Sequence, residues 1–348
     1  MSRSQPQLFR DQADACADLG SPLYAELLER LADDLEADGA TARVLRGHED
    51  DPGPSGLALR LVGSVHRLVL GGSAPELAEY YPTVGGAWSS HGSEAVLAFL
   101  AARGDEVRPL LDQAPQTNEV GRAAALVGGL LRLTERWRLP VRLWEIGASA
   151  GLNLQADRFR ISGDAGAWGD PASPVHLEGA WTGEALPVDA DLRVVERGGC
   201  DVSPVEVTTE EGRLTLTSYV WPDMTARHER LAGAIALARR RPVPIERVDA
   251  ASYVERLSPA SGHLTVLWHS VMWQYVPPAQ QERVTARLEE LGATASPDAP
   301  LVHLYAEPVR RTAEDHHRFW VCAHVWPGPG DRVFLGRMAA HGLPVVWE

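Results

Sequence analysis

One stretch constrains the fold more than any other: Val141-Arg-Leu-Trp-Glu145-Ile-Gly147-Ala-Ser149-Ala-Gly151-Leu-Asn153-Leu. Pro140 opens it, a short apolar run follows, and an acid leads into small residues and two glycines. Residues 152–159 then read as a helix. The order is strand, tight turn, helix. A turn of that kind lets backbone N–H groups and a helix N-terminus come close to a ligand. Two chemistries use such a junction, and the rest of the chain must choose between them.

At 348 residues the chain has room for one large domain or two medium ones, with a sizeable core. Its formal charge of −14 opposes nucleic-acid binding, which needs basic stripes, and opposes an anionic membrane surface. All 33 Lys and Arg residues are arginine. Without lysine there is neither a Walker-type phosphate loop nor a Schiff base. Cys16, Cys200 and Cys322 are scattered with no C-x-x-C, as expected of reduced, buried thiols, and no metal site is expected. The N-terminus lacks an apolar signal core, and no run approaches the ~18 apolar residues that span a bilayer. A cytoplasmic protein is expected.

Residues 1–112 read as an all-helical N-terminal cap. Apolar spacing over 23–35 behind Ser21-Pro22 predicts one helix, and 57–70 predicts another that carries His66 on its buried face as a satisfied core residue. Asp50 to Gly56 reads as a loop. In 115–122, Thr117 or Asn118 suits the cap of a helix running to Trp137, while Asn118, Glu119 and Arg122 share one turn ahead of the central strand. That cluster is open to a binding role or to a capping and ion-pair role. After a loop-rich insertion at about 159–191, strands are expected near 192–196, 214–220, 242–248, 264–268, 301–306 and 319–325, with helices between several of them. Alternation of this kind from residue 140 onward predicts an α/β, doubly wound, mostly parallel sheet over 113–348, with ligands at the carboxyl ends of its strands.

Those ends carry Glu145, Asp201, Asp249-Ala250, His269-Ser270 and Glu307-Pro308. A sheet that merely avoids burying charge would also push acids to its ends, so the order is the informative part. It resembles the class I S-adenosylmethionine-dependent methyltransferases, whose fold is Rossmann-like. The resemblance implies that Glu145-Ile-Gly147-Ala-Ser149-Ala-Gly151, with Asn153 behind it, holds the methionine part of the cofactor S-adenosylmethionine. It implies Asp201 on the ribose and Asp249-Ala250 at the adenine, with His269-Ser270 facing the transferring methyl. Ser149 stands where the family's middle glycine would be, and Glu196 is a rival to Asp201. The whole chain also resembles domain-of-unknown-function family 2332, through Gln116 to Arg122, Glu145 to Asn153 and Trp221-Pro-Asp223.

Gly147-Ala-Ser149-Ala-Gly151 equally fits the G-x-S-x-G nucleophile elbow of α/β-hydrolases, with Asp249 and His303 or His324 completing a triad. The helical first ~138 residues oppose it, since a hydrolase sheet needs strands before its elbow. A non-catalytic cofactor-binding module is the third class. The expectation is a methyltransferase acting on an unidentified small molecule or protein side chain. His269 is the candidate base. Asp223, Asn118, Glu119 and Trp221 are candidate substrate-orienting groups, and Arg122 suits the cofactor carboxylate.

Overall fold

A computed structural model describes residues 4–51, 55–112 and 115–348; the expected loop at 50–56 falls partly outside them. The chain divides into two compact units, Met1–Thr117 with Thr209–Glu229, and Asn118–Thr208 with Arg230–Glu348.

The first unit is helical. Its first helices are α1 (Gln5–Asp18), α2 (Pro22–Glu36), α3 (Ala40–Val44), α4 (Leu57–Leu70) and α5 (His91–Val107). The Ser21 side chain accepts from the Tyr24 N–H and Pro22 sits in the first turn, which together start α2 as its sequence predicts. Leu27, Leu28, Leu31 and Leu61 are fully buried in the shared core. Tyr81 is 0 % exposed and packs in that core.

The second unit begins with α6 (Ala123–Trp137), which leads into β1 (Val141–Ile146). The insertion makes β2 (Arg160–Gly163), β3 (Gly166–Trp168) and β4 (His176–Leu177), a separate three-stranded sheet, and β5 (Trp181–Gly183). β6 (Val194–Asp201) precedes α7 (Glu210–Ser218), which belongs to the helical unit, and α8 (Thr225–Arg240), where the chain passes from one unit to the other. Then follow β7 (Ile245–Arg247), α9 (Ala250–Val254), β8 (Leu264–Ser270), α10 (Pro278–Ala293), β9 (Leu301–Val309), β10 (Arg318–Trp326), β11 (Val333–Met338) and β12 (Val345–Trp347).

The main sheet has nine strands in the order β5-β12-β11-β10-β9-β8-β1-β6-β7. From β9 to β7 every pairing is parallel, while β10 and β11 pair antiparallel with their neighbours. It is a large, mostly parallel sheet, as expected. Six of the seven residues of β8 are buried, as befits a strand covered on both faces. Strand order reverses at β1, with β6 on one side and β8 on the other. Such a reversal leaves a crevice beyond the carboxyl ends of the two strands.

Three local expectations are corrected. The run at 214–220 is not a strand but lies mostly in α7, because Thr209 caps the Gly212 N–H and Glu210 and Glu211 fill the first turn. Residues 152–159 form a short 3-10 helix, Asn153–Arg158, with Gln155 outside helical geometry. The helix expected to start at Thr117 or Asn118 starts later. Glu119 caps a 3-10 turn, Val120–Arg122, and α6 begins at Ala123.

Candidate functional site

The turn after β1 is the most constrained backbone in the sheet unit. Gly147, Ser149 and Gly151 have φ of +67°, +52° and +70°, so three alternate positions are left-handed. Glycine enters that region freely, whereas a serine there is strained by about 1–2 kcal/mol. What holds Ser149 in place is visible. Its N–H donates to Asp201 Oδ2 at 2.9 Å, and its carbonyl accepts from the Val205 N–H at 3.1 Å. Asp201 Oδ1 accepts from the Ser203 N–H at 2.8 Å, so one carboxylate at the end of β6 fastens two loops. Glu196 is elsewhere: it pairs in register with Arg142 near the start of β1, whereas Ile146 at its end faces Cys200.

The 118–122 turn buttresses the same junction. Asn118 Oδ1 accepts from the Leu152 N–H at 2.9 Å, and the Glu119 carbonyl accepts from Asn153 Nδ2 at 3.3 Å. Glu119 Oε1 takes the Gly121 N–H at 3.0 Å, and Arg122 donates to the Ser270 carbonyl at 3.2 Å. The turn thereby ties the β1 loop to the end of β8, its neighbour on one side of the strand-order reversal. Of its two sequence readings, capping and tethering account for the bonds of Asn118 and Glu119.

Glu145 is 3 % exposed and its Oε2 has no hydrogen-bond partner. Burial, then the Asp201 charge, pushes its carboxyl well above the usual range, tempered by Trp268 and Arg122. A buried carboxyl oxygen left without a partner beneath a backbone turn is where a polar ligand group would be accommodated. Asp249 behaves differently. Both its oxygens accept from Ser252, so Asp249 caps α9, and these bonds hold its carboxyl below the usual range.

Beside this turn lies a row whose members, His269, His303 and Glu307, the sequence reading named separately and did not join. Val271, directly after β8, has φ +50°, an outlier for a β-branched residue. The kink brings the Met272 and Trp273 N–H groups to Glu307 Oε1 at 3.0 and 3.2 Å. His269 Nδ1 reaches the same oxygen at 2.8 Å, and its Nε2 lies 2.9 Å from His303 Nε2. His269 is 1 % exposed. Both its ring nitrogens are therefore engaged inside the fold. Glu307 is 3 % exposed and its Oε2 is buried without a partner. Among the described residues no group of three His, Cys, Asp or Glu is placed to hold a metal ion.

The other two candidates sit in the helical unit. Asp223 accepts from the Ser21 hydroxyl at 2.6 Å and the Leu23 N–H at 3.0 Å, holding the start of α2. Trp221 is 6 % exposed in that unit's core, 6.3 Å from the Tyr24 ring.

The family described as "uncharacterized protein conserved in bacteria (DUF2332)" matches residues 6–347. The chain belongs to this family. No curated protein and no solved structure matches it. Within this DUF2332 chain no helix of the described residues is long and apolar enough to cross a membrane.

Proposed function

We propose that the sheet unit of this DUF2332 protein binds S-adenosylmethionine over the β1 turn and directs methyl transfer to a small molecule or a protein side chain. One observation carries the reading. The parallel strands lie in the order third-second-first-fourth-fifth of their appearance, and the turn after the first is left-handed at all three glycine positions of an E-x-G-x-G-x-G loop. On this reading Ser149 is a glycine substitute, held by Asp201 and Val205.

The residues present suit the cofactor. The open Glu145 Oε2 and the turn backbone would meet the methionine part, and Asp201 keeps acceptor capacity beyond its two N–H bonds for ribose hydroxyls. Asp249-Ala250 stands at the end of the third parallel strand, where the adenine would lie. Arg122 is close enough to temper the Glu145 charge and would serve the cofactor carboxylate. When bound, the cofactor supplies an electrophilic methyl on a sulfonium. The protein's part is alignment, exclusion of water and disposal of a proton.

A second reading has one observation in its favour, because a left-handed Ser149 also suits a strained nucleophile elbow. Against it, Asp249 is taken by Ser252 and His303 by His269, and Ser149 is 5 % exposed. Two assays on one preparation discriminate. S-adenosylhomocysteine, but not NAD, should raise the melting temperature, and a fluorophosphonate should leave the protein unlabelled. Labelling that disappears in Ser149→Ala would replace this reading with a hydrolase. Ligand binding without turnover on any acceptor would leave a binding module.

A further inference from the structure

We propose that Glu307, His269 and His303, spread along β8 and β9, form a proton-accepting relay, which takes up the proton lost by a hydroxyl, amine or thiol when it is methylated. The proposal rests on the methyl-transfer reading and names the acceptor class that reading leaves open.

The direction of each hydrogen bond follows from the partners. Glu307 Oε1 accepts two backbone N–H groups, which can only donate, so this oxygen carries no proton and His269 Nδ1 is a donor to it. One proton lies between the two Nε2 atoms, 2.9 Å apart. With both rings neutral, that proton sits on His303 and its Nδ1 is a bare acceptor. His303 is half-buried, whereas its two partners are fully buried, so it is the member of the three open to an incoming group.

The charge has one favourable resting place. His269 stacks on Trp273 (5.0 Å, 18°) and on Tyr305 (5.3 Å, 4°), two aromatic faces that stabilise an imidazolium beside a carboxylate. His303 cannot keep it: burial, then His269, His324 and Arg332, hold its proton affinity well below that of a free imidazole. The neighbouring imidazole is itself occupied. His324 Nδ1 lies 2.7 Å from the Gly330 carbonyl and its Nε2 3.3 Å from the Tyr305 hydroxyl.

The transfer balances. The acceptor's O–H, N–H or S–H bond breaks with its electron pair left on the acceptor, and the proton joins His303 Nδ1. The proton on His303 Nε2 crosses to His269 Nε2. His303 ends neutral in its other tautomer, and one positive charge rests on His269 against Glu307. Met272 joins this row to the β1 turn. Its N–H bonds Glu307, and its side chain packs against Gly147 so closely that a Cβ there would lie 2.9 Å from Met272 Cε and Cγ.

The test is nitrogen-15 NMR of the imidazoles in the full chain during acid titration, with and without S-adenosylhomocysteine. The expected result is charge appearing on His269 while His303 stays neutral and exchanges tautomers. In Glu307→Gln the tautomer exchange at His303 should be lost, because the carboxylate that receives the charge beside His269 is gone. A merely structural role would leave that exchange in place, and either this outcome or charge appearing first on His303 overturns the relay. If Glu307→Gln does not fold, the wild-type spectra decide: no tautomer exchange at His303 overturns it. S-adenosylhomocysteine binding without the exchange sinks the relay alone. Exchange without binding sinks its service to a methyl acceptor.

Discussion

Each unit buries an imidazole, and the two have partners of opposite character. In the helical unit His66 is 0 % exposed, donates from Nδ1 to the Ser218 carbonyl (3.0 Å) and accepts at Nε2 from the Thr83 hydroxyl (2.9 Å). Its partners are neutral, and burial, then His228, lowers its pKa to about 3. In the sheet unit His269 is as deeply buried but has a carboxylate on one nitrogen, a second imidazole on the other and aromatic faces beside it. Burial alone does not separate a histidine kept neutral from one placed to take a charge. The partners do, because neutral partners exclude a charge and an ionised one invites it.

The largest effect is expected on the structural side. His66→Ala should cost about 2–4 kcal/mol in urea unfolding, from the cavity and the orphaned Thr83 and Ser218 groups. A loss under ~1 kcal/mol would mean the histidine is not the tie described here. Acid sharpens the contrast. A histidine whose folded pKa is depressed contributes stability above its unfolded value that is lost as pH falls. The His66 contribution should therefore decay from pH 6.5 down towards about 3. His66→Gln should flatten the stability profile in that window, and an unchanged slope would contradict the assignment.

Glu145 offers the reverse sign. Its folded pKa is raised, so its contribution is fully present below the unfolded value and is lost as pH rises through the folded one. Glu145→Gln should stabilise the protein more at pH 8 than at pH 5, measured by melting. Equal shifts at both pH values would show that the carboxyl is not held neutral by burial.

What the sequence makes legible follows from range. The run 264–268 is legible because six of the seven β8 residues are buried and most are apolar, and Ser21-Pro22 marks a helix start within a few residues. The 214–220 stretch misleads because its Leu-Thr alternation has the period of a strand while the signal for a helix lies just upstream, in Thr209 and two glutamates. The Asp201 clamp and the Asn118 tether join groups 52 and 34 residues apart, and no local pattern encodes them. The His269–Glu307 pair is likewise 38 residues apart, brought together by the register that sets His269 beside Tyr305. A histidine at one strand end and an acid at the other were the signal available; the pairing between strands was not.

The smallest effect concerns Ser149. With φ +52° already left-handed, Ser149→Gly should change stability by no more than ~1 kcal/mol, because strain relief offsets lost chain stiffness. A large loss would show that the hydroxyl, not the turn, is what the position requires.

Calorimetric titration of S-adenosylhomocysteine decides whether the β1 turn is the cofactor cradle proposed above. Wild type should bind. Asp201→Ala should bind more weakly by about 1–3 kcal/mol. Gly147→Ala, whose Cβ would press on Met272 at a backbone angle of +67°, should bind least while still folded. No heat of binding to the folded wild type at millimolar ligand would contradict the account.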